Sequence, residues 1–224
     1  MTNDQFPISN EGILFDIYLR ELVEWNKKFN LTAITDPAEI KLKHFADSLA
    51  LLQIIVLKDQ AVIDVGAGAG FPGLPLKIVC PGLRLTLVEA TRKKVEFLKH
   101  LVAALNLKET EVLWGRAEEI VKNRRETFDF ALARAVASLN VLAEYCLPFV
   151  KVGGFFIAYK EAAIDSEIEA ARHAIELLGG QAAEIKKVKL PNSGIERSLV
   201  VIKKIAPTPP QYPRRAGMAK KKPL

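Results

Sequence analysis

Residue types that most often build metal and disulfide sites are scarce in this chain, which has two cysteines and three histidines among 224 residues. Cys80 and Cys146 are far apart, each within apolar sequence, so two buried structural thiols are a better interpretation than a disulfide or a metal pair. His100 and His173 are interpreted as surface positions on helices, and His44 has no cysteine or carboxylate at a metal-ligand spacing. We therefore expect no metal site.

Long hydrophobic runs are also absent. The longest, residues 49–57, is interrupted by Gln53 and is much shorter than the roughly 20 apolar residues of a membrane helix. The first ten residues carry Asp4 and no basic cluster before an apolar stretch, which is not the pattern of a signal peptide. No Gly-x-Ser-x-Gly segment supports a serine hydrolase, and Ser193 is interpreted as a turn residue. We expect a cytoplasmic protein that does not associate with membranes.

Positive charge is concentrated at one end. The net charge is +6, but residues 203–224 hold seven basic side chains and no acidic ones, leaving 25 basic against 26 acidic side chains elsewhere. A basic segment favours a polyanionic partner, because each phosphate contact releases condensed counterions. A solvated tail that only improves solubility is the alternative. Residues 207–213 contain four prolines, which predicts an extended arm outside the core.

Hydrophobic spacing divides the rest of the chain into a helical cap and an alternating region. Residues 13–29 have helical spacing, and Asp36 and Pro37 can cap and start a second helix that runs to about residue 57. Short apolar segments then alternate with helical ones, as in parallel sheets covered by helices on both faces. The predicted strands are residues 61–65, 84–89, 110–114, 128–133 and 155–159, followed by a hairpin of 182–190 and 197–204. The predicted helices are residues 74–79, 93–105, 117–121, 139–150 and 164–178.

These elements predict a Rossmann-like α/β fold. We expect a mostly parallel seven-stranded sheet with an antiparallel final strand, preceded by an amino-terminal helical cap. Residues 1–58 would form the cap, residues 59–206 the α/β domain and residues 207–224 the carboxy-terminal arm, together in one compact unit.

A glycine-rich segment follows the first predicted strand and precedes a helix. It reads DVGAGAGFPG from Asp64 to Gly73, and Gly66, Gly68 and Gly70 allow the backbone to turn and to bring a ligand close to main-chain N–H groups. Such a turn alone is a weak signal, and the strand before it and the helix after it strengthen it. The segment predicts a nucleotide-type cofactor site.

Two cofactors compete for this loop. The spacing of its later glycines fits the dinucleotide fingerprint. However, Asp64 at the strand end would repel a diphosphate and suits the ammonium and sulfonium of S-adenosylmethionine, and Pro72 lacks an N–H that a diphosphate would use. Glu89 follows Gly66 by 23 residues, where a carboxylate can bind ribose hydroxyls, although it could instead cap the next helix. S-adenosylmethionine is the favoured cofactor.

Short motifs along nearly the whole chain carry a family resemblance. They are NLT at 30–32, HFADSL at 44–49, the glycine-rich segment at 64–73, ARAVASL at 133–139, ER at 196–197 and YPRRAG at 212–217. The glycine-rich segment and ARAVASL are specific together. In these motifs the chain resembles the bacterial 16S rRNA (guanine-N7) methyltransferase family, also called glucose-inhibited division protein B. The resemblance implies a class I methyltransferase fold and methyl transfer to N7 of one guanine in the decoding-region loop of 16S ribosomal RNA.

The resemblance also implies a set of site residues. Position by position, cofactor contacts fall on Gly66, Phe71, Glu89, Ala90, Thr91, Ala117, Glu118 and Arg134, which join Asp64, Gly68 and Gly70 from the loop argument. For substrate and RNA we expect His44, Asp47, Lys160, Arg197, Arg214 and Arg215, with Lys220, Lys221 and Lys222 adding charge. Tyr212 could stack on a base or pack the arm onto the domain.

The chemistry of guanine N7 needs few protein groups. This nitrogen has a lone pair and no proton, so it can attack a methyl carbon without a general base, and alignment can lower the barrier by up to about 7–11 kcal/mol. The segment after the fourth strand fits, since it offers Arg134 among small side chains. We predict that Arg134 is the catalytic residue, holding the base or a phosphate by paired hydrogen bonds; an ion pair with Glu118 is the alternative.

Other functions are not excluded by the sequence alone. An NAD-dependent oxidoreductase and a non-catalytic RNA-binding ribosome-assembly factor are the main alternatives, and methylation of a small molecule is a third. The expected partner is 16S ribosomal RNA or the small ribosomal subunit, and the expected oligomeric state is a monomer.

Overall fold

The computed structural model describes residues 10–134, 137–161 and 163–224. In it, seven strands form one sheet of order β3-β2-β1-β4-β5-β7-β6. The strands are β1 Ala61–Val65, β2 Arg84–Glu89, β3 Thr110–Trp114, β4 Phe128–Arg134, β5 Val150–Lys160, β6 Glu184–Lys189 and β7 Glu196–Lys203. The predictions made for residues 1–9 and for Ala135 and Val136 lie outside the described residues.

The helices cover both faces of this sheet. They are α1 Asn10–Asn26, α2 Pro37–Ile40, α3 Asp47–Leu49, α4 Gly73–Val79, α5 Arg92–Ala104, α6 Ala117–Ile120, α7 Leu139–Cys146, α8 Asp165–Leu177 and α9 Met218–Lys221. Successive strand residues face two separate cores, because side chains alternate along a strand. Val62 belongs to the core with residues of α1, α4 and α5, whereas Ile63 belongs to the core with residues of α7 and α8.

The sheet is mixed in the way that the sequence predicted. Strands β1 to β5 pair in parallel, while β7 is antiparallel to both β5 and β6. The bounds of β1, β2 and β3 match the predicted ones. The prediction of a Rossmann-like sheet with an antiparallel final strand is therefore confirmed.

The amino-terminal cap packs α1 against α4 and α5. Helix α1 ends at Asn26 and not at residue 29, because the Asn26 side-chain oxygen accepts the N–H groups of Leu31 (2.8 Å) and Thr32 (3.0 Å) in the following turn. Asp36 caps α2 as expected, accepting the Glu39 N–H at 2.9 Å. The helical segment that starts with α2 continues through a π-helical segment, Lys41–Ala46, and ends in a 3₁₀ turn, Ala50–Gln53. It is therefore shorter than the predicted helix, which ran to about residue 57.

The connection between α7 and β5 differs most from the prediction. Helix α7 ends at Cys146, a 3₁₀ turn Leu147–Phe149 follows, and β5 starts at Val150. Gly153 and Gly154, a pair typical of a turn, stand just before the predicted start of the strand at residue 155, and the structure places them inside β5. A Cβ on Gly154 would be 2.6 Å from the Asp129 carbonyl oxygen, so glycine here permits close backbone contact within the sheet.

The arm of residues 207–224 is not the extended segment outside the core that proline content suggested. Thr208 and Ala219 are buried, and α9 packs on α7. The Arg125 guanidinium donates to the carbonyl oxygens of Thr208, Pro209 (3.0 Å) and Tyr212 (2.7 Å). The arm is thus held against the domain by its own backbone carbonyl groups.

Cys80 and Cys146 are both free thiols, Cys146 buried and Cys80 half-buried. In the described part of the chain, no three His, Cys, Asp or Glu side chains group so as to hold a metal ion. Nor is any described helix both long and apolar enough to cross a lipid bilayer.

Candidate cofactor and substrate site

The glycine-rich loop joins β1 to α4 at the carboxyl edge of the sheet. Gly66, Gly68 and Gly70 all have positive φ angles. At Gly70 a Cβ would be 2.5 Å from Leu74 Cδ1 and 2.6 Å from the Tyr18 hydroxyl oxygen, so a side chain is excluded by space as well as by conformation. The loop is therefore tightly packed on the side of Leu74 and Tyr18 and open on the side of the sheet edge.

Two of the loop's N–H groups are bound by carboxylates of this chain. Gly68 N–H donates to Glu89 Oε2 (3.0 Å) and Gly73 N–H donates to Asp64 Oδ2 (2.8 Å). In dinucleotide-binding loops such groups bind a diphosphate. Here both N–H groups are already bound, and an incoming phosphate would meet the Glu89 carboxylate, which lines the cleft, so this loop fits a cationic ligand such as S-adenosylmethionine better than it fits NAD.

Asp64 is fully buried under the loop and is not among the residues that line the cleft beside it. Burial raises the pKa of this carboxyl to about 7, against the lowering effects of the Gly73 hydrogen bond and of Arg134. Its Oδ1 atom has no hydrogen-bond partner among the described residues. Asp64 therefore joins β1 to the start of α4, and a direct contact between Asp64 and a cofactor remains a prediction.

A cleft of about 440 Å³ opens beside the loop. It brings together six of the predicted cofactor residues, namely Gly66, Gly68, Phe71, Glu89, Ala90 and Arg134. Seven further lining residues were not assigned to the cofactor from the sequence, namely Leu31, Thr32, His44, Ala67, Ala69, Lys94 and Lys220. Gly70, Thr91, Ala117 and Glu118, which were assigned to it, do not line this cleft. The cleft thus lies between the glycine loop, the end of β2, the cap and the arm.

Glu89 binds the backbone at the start of α5, close to the capping role that the sequence offered as an alternative, and it also binds the glycine loop. Its Oε1 accepts the N–H of Thr91 (2.7 Å), the residue before α5, and its Oε2 accepts the N–H of Gly68. Each carboxylate oxygen can accept a second hydrogen bond. Glu89 can therefore fix the loop and still accept hydrogen bonds from ribose hydroxyls.

Arg134, His44 and Phe71 form a compact cluster at one end of this cleft. The His44 and Phe71 rings stack with centroids 4.6 Å apart, and the guanidinium carbon of Arg134 lies 5.0 Å from the Phe71 centroid. Arg134 Nη2 lies 3.1 Å from His44 Nδ1, and Thr32 Oγ1 lies 2.8 Å from His44 Nε2. Because burial and the neighbouring Arg134 lower the pKa of His44 to about 4, the ring is neutral at pH 7 and accepts at Nδ1.

Asp47 connects this cluster to the last strand. Its side chain is almost fully buried, with Oδ2 accepting from Arg134 Nη1 (2.7 Å) and Oδ1 accepting from Arg197 Nε (2.8 Å). Arg134 Nη1 also donates to the Lys43 carbonyl oxygen at 3.2 Å. The ion pair of Arg134 is therefore with Asp47, and the proposed alternative partner Glu118 accepts the Gly217 N–H instead.

A second cleft of about 310 Å³ borders the same cluster. It is lined by Lys43, His44, Asp47, Arg134, Tyr159, Lys160, Glu161 and Arg197. Four of the predicted substrate residues thus lie together although they come from the cap, β5 and β7. Lys160 is partly engaged within the protein, since its Nζ donates to Glu167 (2.6 Å) and to the Ala137 carbonyl oxygen (2.8 Å).

The arm residues predicted to bind RNA differ in their surroundings. Arg214 forms a bidentate ion pair with the carboxylate of Glu144, a residue that is 1% exposed. Arg215 is exposed, and the described residues offer its side chain no partner. Lys204, part of the same basic segment, is fully buried and donates to the Leu147 carbonyl oxygen (2.7 Å). Some of the basic side chains of this segment are therefore bound by other groups of the protein.

Tyr18 is a site-supporting residue that the sequence did not reveal. Its hydroxyl donates to the Ala69 carbonyl oxygen at 2.6 Å, and its ring stacks on Phe71 at 5.3 Å. The two partners lie about 50 residues further along the chain, so no local pattern could have pointed to them. Through Tyr18 the cap holds the glycine loop directly.

Comparison with known proteins decides the family. Residues 13–200 match the family model described as rRNA small subunit methyltransferase G. The chain belongs to that family. Two of its curated members, both named ribosomal RNA small subunit methyltransferase G, are from Alkaliphilus metalliredigens (52% identity, 91% of this chain and 86% of the relative) and Thermoanaerobacter pseudethanolicus (49% identity, 94% and 89%). The resemblance predicted from the motifs is confirmed.

Solved structures agree with this fold. A SAM-dependent methyltransferase from Aquifex aeolicus superimposes with a TM-score of 0.56 at 19% identity, over 80% of this chain and 97% of that one. At this identity the likeness concerns the fold alone, and it confirms the predicted class I methyltransferase architecture.

Proposed function

We propose that this chain transfers a methyl group from S-adenosylmethionine to N7 of a guanine in 16S ribosomal RNA. It would do so as a cytoplasmic monomer, acting on the RNA or on the small ribosomal subunit. Support comes from the family and from one structural observation: two clefts, one beside the glycine loop and one lined by cationic side chains, share His44 and Arg134.

The first cleft would hold the cofactor, which supplies an electrophilic methyl group. Gly66, Gly68 and Phe71 from the loop and Glu89 and Ala90 from the end of β2 are the proposed contacts. Glu89 provides the negative charge that a cationic ligand favours, and it can accept ribose hydroxyls. The contacts predicted for Asp64, Gly70, Thr91, Ala117 and Glu118 would have to be indirect or to follow a local rearrangement.

The second cleft would hold the target guanine and its phosphates. Lys43, Lys160 and Arg197 line it together with Arg134, and guanidinium groups bind phosphate or the O6 edge of guanine by paired hydrogen bonds. Arg134 is the proposed positioning residue, because Asp47 and the Lys43 carbonyl oxygen fix its guanidinium between the two clefts. Arg214 and Arg215 would add charge to an RNA surface along the arm, Arg214 while paired with Glu144.

The cluster between the clefts contains no free base. His44 Nδ1 accepts from Arg134, and the other ring nitrogen contacts Thr32. An attack by guanine N7 releases no proton at that atom, so the absence of a free base in this cluster suits N7 better than an exocyclic amine or a hydroxyl.

Binding and product analysis together test this proposal. Calorimetry should show that the wild type binds S-adenosylhomocysteine and not NAD. Glu89→Gln should weaken that binding about tenfold or more, because the variant loses the negative charge and its amide NH2 group cannot accept one of the two backbone N–H groups that Glu89 binds. Glu119→Gln, an exposed carboxylate on α6, is the matched control and should bind like the wild type.

The position of the methyl group is tested on 16S RNA and on small subunits from cells that lack the protein. After incubation with the enzyme and labelled cofactor, borohydride and aniline treatment should cleave the RNA at the methylated guanine, since only N7-methylation labilises the ring. Label found in another base, or at a site resistant to this cleavage, would overturn the assignment to N7.

A further inference from the structure

The carboxy-terminal arm is fixed to the domain along its length, as its contacts show. Arg125 binds three of its carbonyl groups, Arg214 pairs with buried Glu144, and Ala219 is buried in the core beneath α7. The backbone of the arm therefore has a defined position relative to the cofactor cleft.

One further contact places the end of the arm beside the cofactor residues. Gly217 N–H donates to Glu118 Oε1 at 2.9 Å, just after β3. Three residues later, Lys220 lines the cofactor cleft together with Glu89, Ala90 and Lys94, whereas Lys221 and Lys222 do not line it. Glu89, at the end of β2, is the ribose side of the proposed cofactor, and the loop after β3 is next to it along the sheet.

We propose that Lys220 is a cofactor-binding residue that closes the adenosine end of this cleft. The inference rests on the proposed function and assigns to the cofactor a lysine that charge alone would assign to RNA. A lysine ammonium only donates hydrogen bonds. The ring nitrogens of adenine, the ribose oxygens and the carboxylate of the cofactor accept them, and the first two belong to the side of the cleft that Lys220 shares with Glu89 and Ala90.

The experiment compares Lys220→Met with Lys221→Met. Methionine keeps most of the apolar stem and removes the ammonium, and both lysines are exposed, so neither change should affect folding. Calorimetry is carried out without RNA on the full chain, with two probes: S-adenosylhomocysteine and methylthioadenosine, which has the adenosine but no amino-acid group.

Lys220→Met should weaken binding of both probes by the same factor, roughly ten- to hundredfold, the range for a hydrogen bond to a charged group. Lys221→Met should stay within about twofold of the wild type. The proposal would be overturned if Lys220→Met kept its affinity for both probes while the dependence of RNA affinity on salt concentration, as a log–log slope, fell by about one. Lys220 would then be a phosphate contact.

Three results distinguish a failure of this inference from a failure of the proposed function. A loss with S-adenosylhomocysteine but not with methylthioadenosine would overturn the adenosine placement, since it would put Lys220 at the amino-acid end. A wild-type protein that binds neither probe would overturn this inference together with the proposed function. A wild type that binds both, with Lys220→Met indistinguishable from it, would overturn the inference alone.

Discussion

Replacing Arg214 tests whether the arm is part of the folded domain or a tether for RNA. The carboxylate of Glu144, on α7, is 1% exposed and accepts from the Arg214 backbone N–H (2.8 Å), from its Nε (2.9 Å) and from its Nη2. Arg214→Ala would keep the backbone donor and remove the guanidinium. A buried negative charge would then have one hydrogen bond and no counter-charge.

The size of the effect follows from this geometry. Removing one partner of a buried ion pair costs about 3–5 kcal/mol of unfolding free energy. The Arg214 side chain is 23% exposed, so water can reach part of the vacated space and the lower end applies, about 3 kcal/mol. For a chain of this length such a loss lowers Tm by roughly 6–12 °C.

Urea unfolding and a thermal melt would measure this, with Arg215→Ala as the control. Arg215 is the next residue and is exposed, so its loss should shift Tm by no more than about 1–2 °C, as for other surface changes. Adding Glu144→Gln to Arg214→Ala should recover part of the loss, because no unpaired charge remains. Equal melting temperatures for the two arginine variants would refute the view that the arm is built into the domain.

Two further predictions concern the clefts and the loop. Arg197→Ala should lower kcat/KM for RNA by roughly tenfold or more, as expected for loss of a charged contact. It should leave the affinity for S-adenosylhomocysteine unchanged, because Arg197 lines the second cleft and not the first. Lys186→Ala, at an exposed lysine, is the control, and parallel losses in both assays would contradict this prediction. Because burial raises the pKa of Asp64 from 3.8 to about 7, the folded state retains this proton at pH values where the unfolded state has lost it. The wild type should therefore lose stability relative to Asp64→Asn as pH rises from about 4 to about 7, by up to about 4 kcal/mol, and a difference that stays constant from pH 5 to pH 8 would argue against a raised pKa.

Much of the fold could be predicted because its strands are bounded by residues with clear local roles. Strand β1 is an apolar run that ends at the glycine loop, and β2 ends at Glu89, so periodicity and turn residues gave their bounds directly. The start of β5 could not be found in this way. A glycine pair usually indicates a turn, and only the close approach of Asp129 shows why Gly154 lies within a strand.

Individual residues of the candidate site could be predicted from the sequence, but the contacts between them could not. The loop and Glu89 were found because strand ends and glycines leave a local pattern. The ion pairs of Asp47 with Arg134 and with Arg197 join residues that are 87 and 150 positions apart, and no spacing rule relates them. The same holds for the arm: its charge was visible in the sequence, but the buried Glu144 that binds Arg214 looked like any other helix carboxylate.

His44 and Arg134 line both clefts, so under the proposed function they would separate the methyl donor from its acceptor. A substitution at either residue would then change two binding sites at once, and direct binding measurements would be needed to separate its effects on cofactor and on RNA. Adapting the enzyme to a different nucleotide is therefore better attempted at Lys160, Glu161 or Arg197, which border only one side.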